Sequence, residues 1–214
     1  MGRNVFISNM DIFIHNLFQE PGFYFCWIIS VAFSICVHEF SHAAVANAFG
    51  DDTARANGFM TLNPLRVMGI PSMICLALFG IAWGAVPVNP WAYRKRFQPS
   101  LVSAAGPFAN LALAVVFGIL FRIFNTLPLP HIFLFFTAIA CQANALLFVF
   151  NMLPIPMLDG WSVLEPFVPA MHKLSLQARN NISTFCIILL WVTPASRIIT
   201  IISTGITKII LQLS

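Results

Sequence analysis

The chain has 214 residues, of which 59% are hydrophobic and 8% charged, with a mean hydropathy of +0.86. An ordinary soluble domain carries about 25% charged residues, so this chain cannot clothe a water-facing surface and reads as an integral membrane protein. Its net charge of +4 rests on 11 scattered basic residues, too sparse for a nucleic-acid patch; they read as topology markers instead.

In chain order, the N-terminal residues 1–20 are too short and polar for a span and predict an amphipathic segment lying at the interface. A first apolar run covers about Phe23 to Phe49, and a second, broken by Gly69, Pro71, Gly80 and Gly84, covers about Val67 to Trp83. A third covers about Leu101 to Phe124, a fourth about Ile132 to Leu153, and a fifth, carrying Pro194 and Arg197, about Phe185 to Leu211. The expected architecture is an all-α polytopic membrane protein of about four to six transmembrane helices. It forms one domain over residues 1–214, with its core at about 22–165 and a C-terminal transmembrane helix at 185–211. The five cysteines all lie in apolar runs and read as small buried hydrophobes.

The first run contains a costly exception. His38-Glu39-Phe40-Ser41-His42 fits HExxH. Residues four apart share a helix face, so both histidines can reach one zinc ion, with Glu39 beside them to take a proton from an attacking water. Two imidazoles and a carboxylate in a membrane helix are unfavourable unless partnered or metal-bound.

A catalytic zinc commonly has a third protein ligand and an open position. Among seven acids, Asp11 and Glu20 precede the first span, and Asp51 and Asp52 follow Gly50 and read as solvated residues at its end. Glu165 lies in a Pro-flanked loop. Asp159, in "NMLPIPMLDG" from Asn151 to Gly160, remains as the candidate. Pro154 and Pro156 end the fourth helix there, and irregular backbone at membrane depth is tolerated only against protein or a watery cavity. The competing reading of this stretch is an interfacial turn.

HEFSH inside a span, together with Asn151-x-x-Pro154-x-Pro156-x-x-Asp159-Gly160, resembles the site-2 protease family of intramembrane zinc metalloproteases. "DDTARANGFMTLNPLR", "AVPVNPWAYRKRF" and "SAAGPFANL" resemble its compact bacterial branch without PDZ or CBS domains, and the likeness covers roughly residues 31 to 165 in order. It implies one zinc ion held by His38, His42 and Asp159, with Glu39 as general base. It further implies that Asn151 and Asn110 bind the substrate backbone or stabilise the oxyanion; for Asn110, interhelical packing beside Gly106 is an equal reading. The expected substrates are transmembrane proteins or peptides in the lipid bilayer, with no nucleic-acid partner. The expected location is the bacterial cytoplasmic membrane. One departure is Trp83-Gly84-Ala85, where many relatives carry a Lys or small polar group. Readings from other classes are a membrane metal transporter or a non-catalytic metal-binding protein.

Parity adds a topological expectation. The histidines sit near the end of the first run and Asp159 just past the end of the fourth, so both ends must share a membrane face. Three full crossings between them would forbid that. One run must fail to cross, and the glycine- and proline-broken second run is the weakest. Residues 64–98 are therefore expected to enter and leave on one face, with "VPVNP" extended near the active site. With Arg197 set aside inside the fifth run, this arrangement gives one face seven basic residues and the other three, against six and four for full crossing, so the zinc-bearing ends are expected to face the cytoplasm.

Overall fold

The structure is a computed structural model describing residues 13–213; the expected amphipathic segment lies largely outside the described residues. The longer elements are α1 (Pro21–Ala48), α2 (Gly69–Phe79), α3 (Gln98–Asn125), α4 (His131–Asn151), α5 (Asp159–Leu164), α6 (Leu176–Val192) and α7 (Ala195–Leu213). No strand occurs among the described residues. Among the described residues three helices, α1, α3 and α4, are long and apolar enough to cross a membrane, and α6 with α7 makes a fourth if that bent pair counts as one span.

These helices are inside-out relative to a soluble bundle. Phe25, Ile29 and Phe33 recur every fourth residue along α1 and are all exposed, as are Phe108, Val116 and Ile123 on α3. Large apolar side chains facing outward suit lipid, while small residues face in. Along α3, Val102, Gly106, Asn110, Ala114 and Gly118 are buried at intervals of four. Of these, Asn110 and Ala114 meet Asn144 and the equally small Cys141 and Ala145 of α4. Between membrane helices, where lipid competes equally for apolar surface, this close backbone approach is what binds them. The α1, α3 and α4 bundle carries the site, and α7 covers α3 and α4 on the far side through Ile206, Ile210 and Leu211.

The second apolar run does not become a span. Helix α2 has 11 residues, about 16 Å at helical rise, roughly half a hydrocarbon core. Its terminal carbonyls are capped from α1: the Tyr24 hydroxyl donates to Ala77 and the Trp27 indole to Gly80, at 3.1 and 2.8 Å. The chain then comes back extended, and the Ala85 amide donates to the Val67 carbonyl at 3.1 Å. The segment therefore returns to where it left, which is the geometry that parity requires.

Two expectations change. The fifth run is not one continuous helix, because α6 stops at Val192, α7 starts at Ala195, and the pair is bent by 77° at the Thr193-Pro194 break. A proline lacks the amide a continuous helix would need there. Asp51, expected to be solvated, is 2% exposed; its surroundings are described below.

Candidate metal centre

HExxH falls near the C-terminal end of α1, and the three polar side chains are buried: His38 is 6%, Glu39 8% and His42 7% exposed. Asp159 opens α5 immediately after the double-proline turn. That turn is held from outside, since Ser183 of α6 donates its hydroxyl to the Pro156 carbonyl. Gly160 then lies directly on the Met152 and Leu153 carbonyls, where a Cβ would come within 2.3 and 2.5 Å. Any larger residue there would force the Asp159 arm off the end of α4.

His38 Nε2 lies 3.0 Å from His42 Nε2 and 3.0 Å from Asp159 Oδ2, and His42 Nε2 lies 3.3 Å from Asp159 Oδ1. Donor atoms on a tetrahedral zinc, each about 2.0–2.1 Å from the ion, are about 3.3 Å apart. The other face of each ring fixes its tautomer. His38 Nδ1 donates to Asn110 Oδ1 at 2.6 Å, and His42 Nδ1 donates to the Val102 carbonyl at 2.7 Å. With both Nδ1 atoms protonated, both neutral rings present Nε2 lone pairs to each other and to a carboxylate. Three acceptors converging at hydrogen-bond distance are reconciled by a cation. Asp159 supplies the one carboxylate of the group, the anionic ligand that such an ion takes beside two neutral imidazoles.

The neighbourhood makes room for that ion. At Gly106 a Cβ would stand 2.4 and 2.5 Å from the two Nε2 atoms, inside the coordination sphere. One residue on, Pro107 lacks the amide that would bond the Ser103 carbonyl in a regular helix. This loosens α3 beside the Val102 carbonyl that His42 uses. His38, His42 and Asp159 are a group able to hold a metal ion, and the orientation of each histidine by a partner on its far nitrogen is the usual support for such ligands.

Glu39 makes no hydrogen bond to another described residue. Its carboxylate opens on a cleft of about 340 Å³ that also exposes His38, His42, Gly84, Asn151 and Asp159. Gly84 is pressed against it, and a Cβ there would lie 2.6 Å from Glu39 Cγ and 2.9 Å from Oε1. The unexpected Trp83-Gly84-Ala85 stretch thus supplies the one residue type that fits over the acid.

The two asparagines separate. Asn151 lines the cleft and spends one amide hydrogen on the Leu147 carbonyl at 3.0 Å. Asn110 is fully buried and saturated: Oδ1 holds His38, while Nδ2 donates to the Ser34 carbonyl at 3.3 Å and to Asn144 Oδ1 at 3.0 Å. Its geometry is that of an orienting residue behind His38. Asn144, 0% exposed, escaped the sequence reading. The available signal was an amide in the middle of an apolar run, which needs a partner at that depth.

Fold and site together define a class: a helical membrane protein built around a buried HExxH centre completed by a distant aspartate. Comparisons with known proteins agree. Residues 26–129 match the model of peptidase family M50. YwhC of Bacillus subtilis, provisionally named a zinc metalloprotease, is 34% identical over 175 residues, covering 78% of this chain and 80% of that one. A Methanocaldococcus jannaschii protein of the same provisional naming is 32% identical over 170 residues, with 75% and 83% covered. Rip2 of Mycolicibacterium smegmatis, also so named, is 39% identical over 174 residues, but these cover only 64% of its length. No solved structure matches. The chain belongs to peptidase family M50, the zinc metalloproteases of site-2 protease type.

Proposed function

We propose that this chain is a zinc endopeptidase that cuts peptide bonds in or near the transmembrane helices of membrane-protein substrates, in regulated proteolysis or in clearing membrane stubs. The observation that carries this reading is the convergence of three acceptor side chains, with contacts of 3.0–3.3 Å, beside an unpaired glutamate in a cleft. His38 and His42, through Nε2, and Asp159 would hold one zinc ion, which when bound polarises the scissile carbonyl and acidifies water. Glu39 takes a proton from the attacking water and returns it to the leaving amine. Asn110 keeps His38 in the ligating tautomer, and Asn151 offers its remaining amide hydrogen to the substrate carbonyl or the developing oxyanion.

A substrate helix hides its peptide bonds in internal hydrogen bonds and must unwind first. The extended segment beside Glu39 supports a place for the unwound strand. The amides of Trp83, Ala85 and Asn89 are used inward, on Ser72, Val67 and Asp51. Those of Gly84, Val86 and Val88 have no partner among the described residues. Alternate amides thus form a free edge available for strand pairing. The basic bias favours a cytoplasmic-facing site in the bacterial inner membrane.

The test is cleavage of a panel of transmembrane peptides in micelles, with zinc measured alongside. Wild type is expected to cleave with one zinc per chain, and Glu39→Gln to retain zinc while hydrolysis disappears. Undiminished cleavage by Glu39→Gln would overturn the mechanism. Zinc flux into proteoliposomes surviving that substitution would favour a transporter.

A further inference from the structure

The acid just beyond the zinc-motif helix has an environment that the metal centre does not explain. After Ala48 the chain reverses through Gly50, whose φ of +97° lies in the left-handed region, and the Asp51 amide folds back onto the Ala46 carbonyl at 3.0 Å. Asp52 then points outward and Asp51 inward. Asp51 Oδ1 accepts the Thr53 amide at 3.0 Å, a local bond. Oδ2 accepts the Asn89 amide at 2.6 Å and the Tyr93 hydroxyl at 3.2 Å, donors about forty residues away. Burial raises the Asp51 carboxyl pKa, yet the bonds from Thr53, Asn89 and Tyr93 outweigh this and lower it. Burial and the neighbouring carboxylate push the Tyr93 hydroxyl up. The contact is therefore a built one, between a full negative charge and three neutral donors.

Its placement relative to the cleft matters more. The extended segment touches α1 at two places: Gly84 lies against Glu39, and Asn89 is bonded to Asp51 at the helix exit. The segment is thus held at both ends alongside the same helix that carries HExxH, with Pro87 stiffening its middle. Its inner end is pinned by Ser72 and Val67; its outer end is held to α1 by Asp51.

We infer that Asp51 is a positioning residue for the peptidase, holding the free-edge amides of Gly84, Val86 and Val88 in register with Glu39. This rests on the proposed function for its catalytic consequence, although the structural linkage stands apart from it. Loosening Asp51 leaves the metal ligands untouched and frees the wall on which the substrate would lie. The effect belongs in substrate binding more than in turnover.

Two readouts on the full-length protein in micelles test this separately. In Asp51→Asn, hydrogen exchange across residues 84–89, carried by the bonded amides of Ala85 and Asn89, is expected to rise about tenfold, while exchange in α3 and α4 and the zinc content stay as in wild type. With a transmembrane peptide, KM is expected to rise about tenfold and kcat to stay within about twofold. In Tyr93→Phe, which keeps the carboxylate and both amide donors, each effect is expected at about threefold. That variant carries the test if Asp51→Asn does not accumulate. Unchanged exchange at 84–89, or a fall in kcat that tracks zinc loss, overturns the inference. If wild type cleaves nothing, the peptidase reading fails, and the exchange experiment still decides whether Asp51 holds the segment.

Discussion

At the scale of single residues, the site is built from what stands behind the ligands as much as from the ligands. Asn110 is fixed by Ser34 and Asn144 and turns His38 toward the metal position. Asn110→Leu keeps the branched four-atom side chain but removes the acceptor for His38 Nδ1. It is expected to weaken zinc affinity by about 10–100-fold, read by competition with a chromogenic chelator; unchanged affinity would reduce Asn110 to helix packing. Asp51 offers a second test, through pH. Its folded pKa is lowered, so it contributes stability above the ordinary carboxylate value of about 3.9, and that contribution is lost as pH falls through the lower folded value. With chelator present throughout, Asp51→Asn is expected to unfold at a lower temperature than wild type above about pH 5, with the gap closing below about pH 4. A gap independent of pH would remove the carboxylate charge from the account. Much at this scale was legible: HExxH announces itself, and an acid among paired prolines stands out in a chain with seven acids. Asp51 was not, because Gly50-Asp51-Asp52 has the composition of a solvated helix end. Its donors Asn89 and Tyr93 become neighbours only once the chain has folded back.

Among the elements, α2 decides the arrangement of the rest. It is too short to cross and is capped by α1, and the chain returns to Val67. Single cysteines at positions 56 and 93, in an otherwise cysteine-free chain, are therefore expected to react with an impermeant maleimide from the same side of oriented vesicles. Labelling from opposite sides would mean that the segment crosses. Parity allowed this element to be read from sequence, because two halves of one site must share a face whatever the packing. The break between α6 and α7 was legible only as Pro194 in a long apolar run. A proline can kink a span or end it, and only the packing of α7 on α3 and α4 tells which.

Considered whole, the molecule is a bundle of α1, α3 and α4, covered by α7, with a charged arm swung back into it. Asp159 is joined to its partners by neither helix periodicity nor chain proximity, so a bound ion would act as a clasp between α1 and the segment after α4. Removing it leaves two Nε2 lone pairs and a carboxylate facing one another. Chelation is accordingly expected to lower the unfolding temperature of wild type in micelles. At zinc 100-fold above its dissociation constant the linkage amounts to about 2.7 kcal/mol. His38→Ala is expected to abolish the chelator-dependent shift; an equal shift in that variant would place the clasp elsewhere.

Gly84, which leaves no side chain between the extended segment and Glu39, has a consequence for selectivity. On the proposed function, a wall that presents alternate amides and a bare backbone beside Glu39 would have little with which to tell one residue type from another. What it can discriminate is whether a stretch of helix gives up its own hydrogen bonds easily. Substrates would then be ranked by the local free energy of unwinding. Glycine, proline and β-branched residues near the scissile bond would act as permissions to cut, with no consensus sequence required.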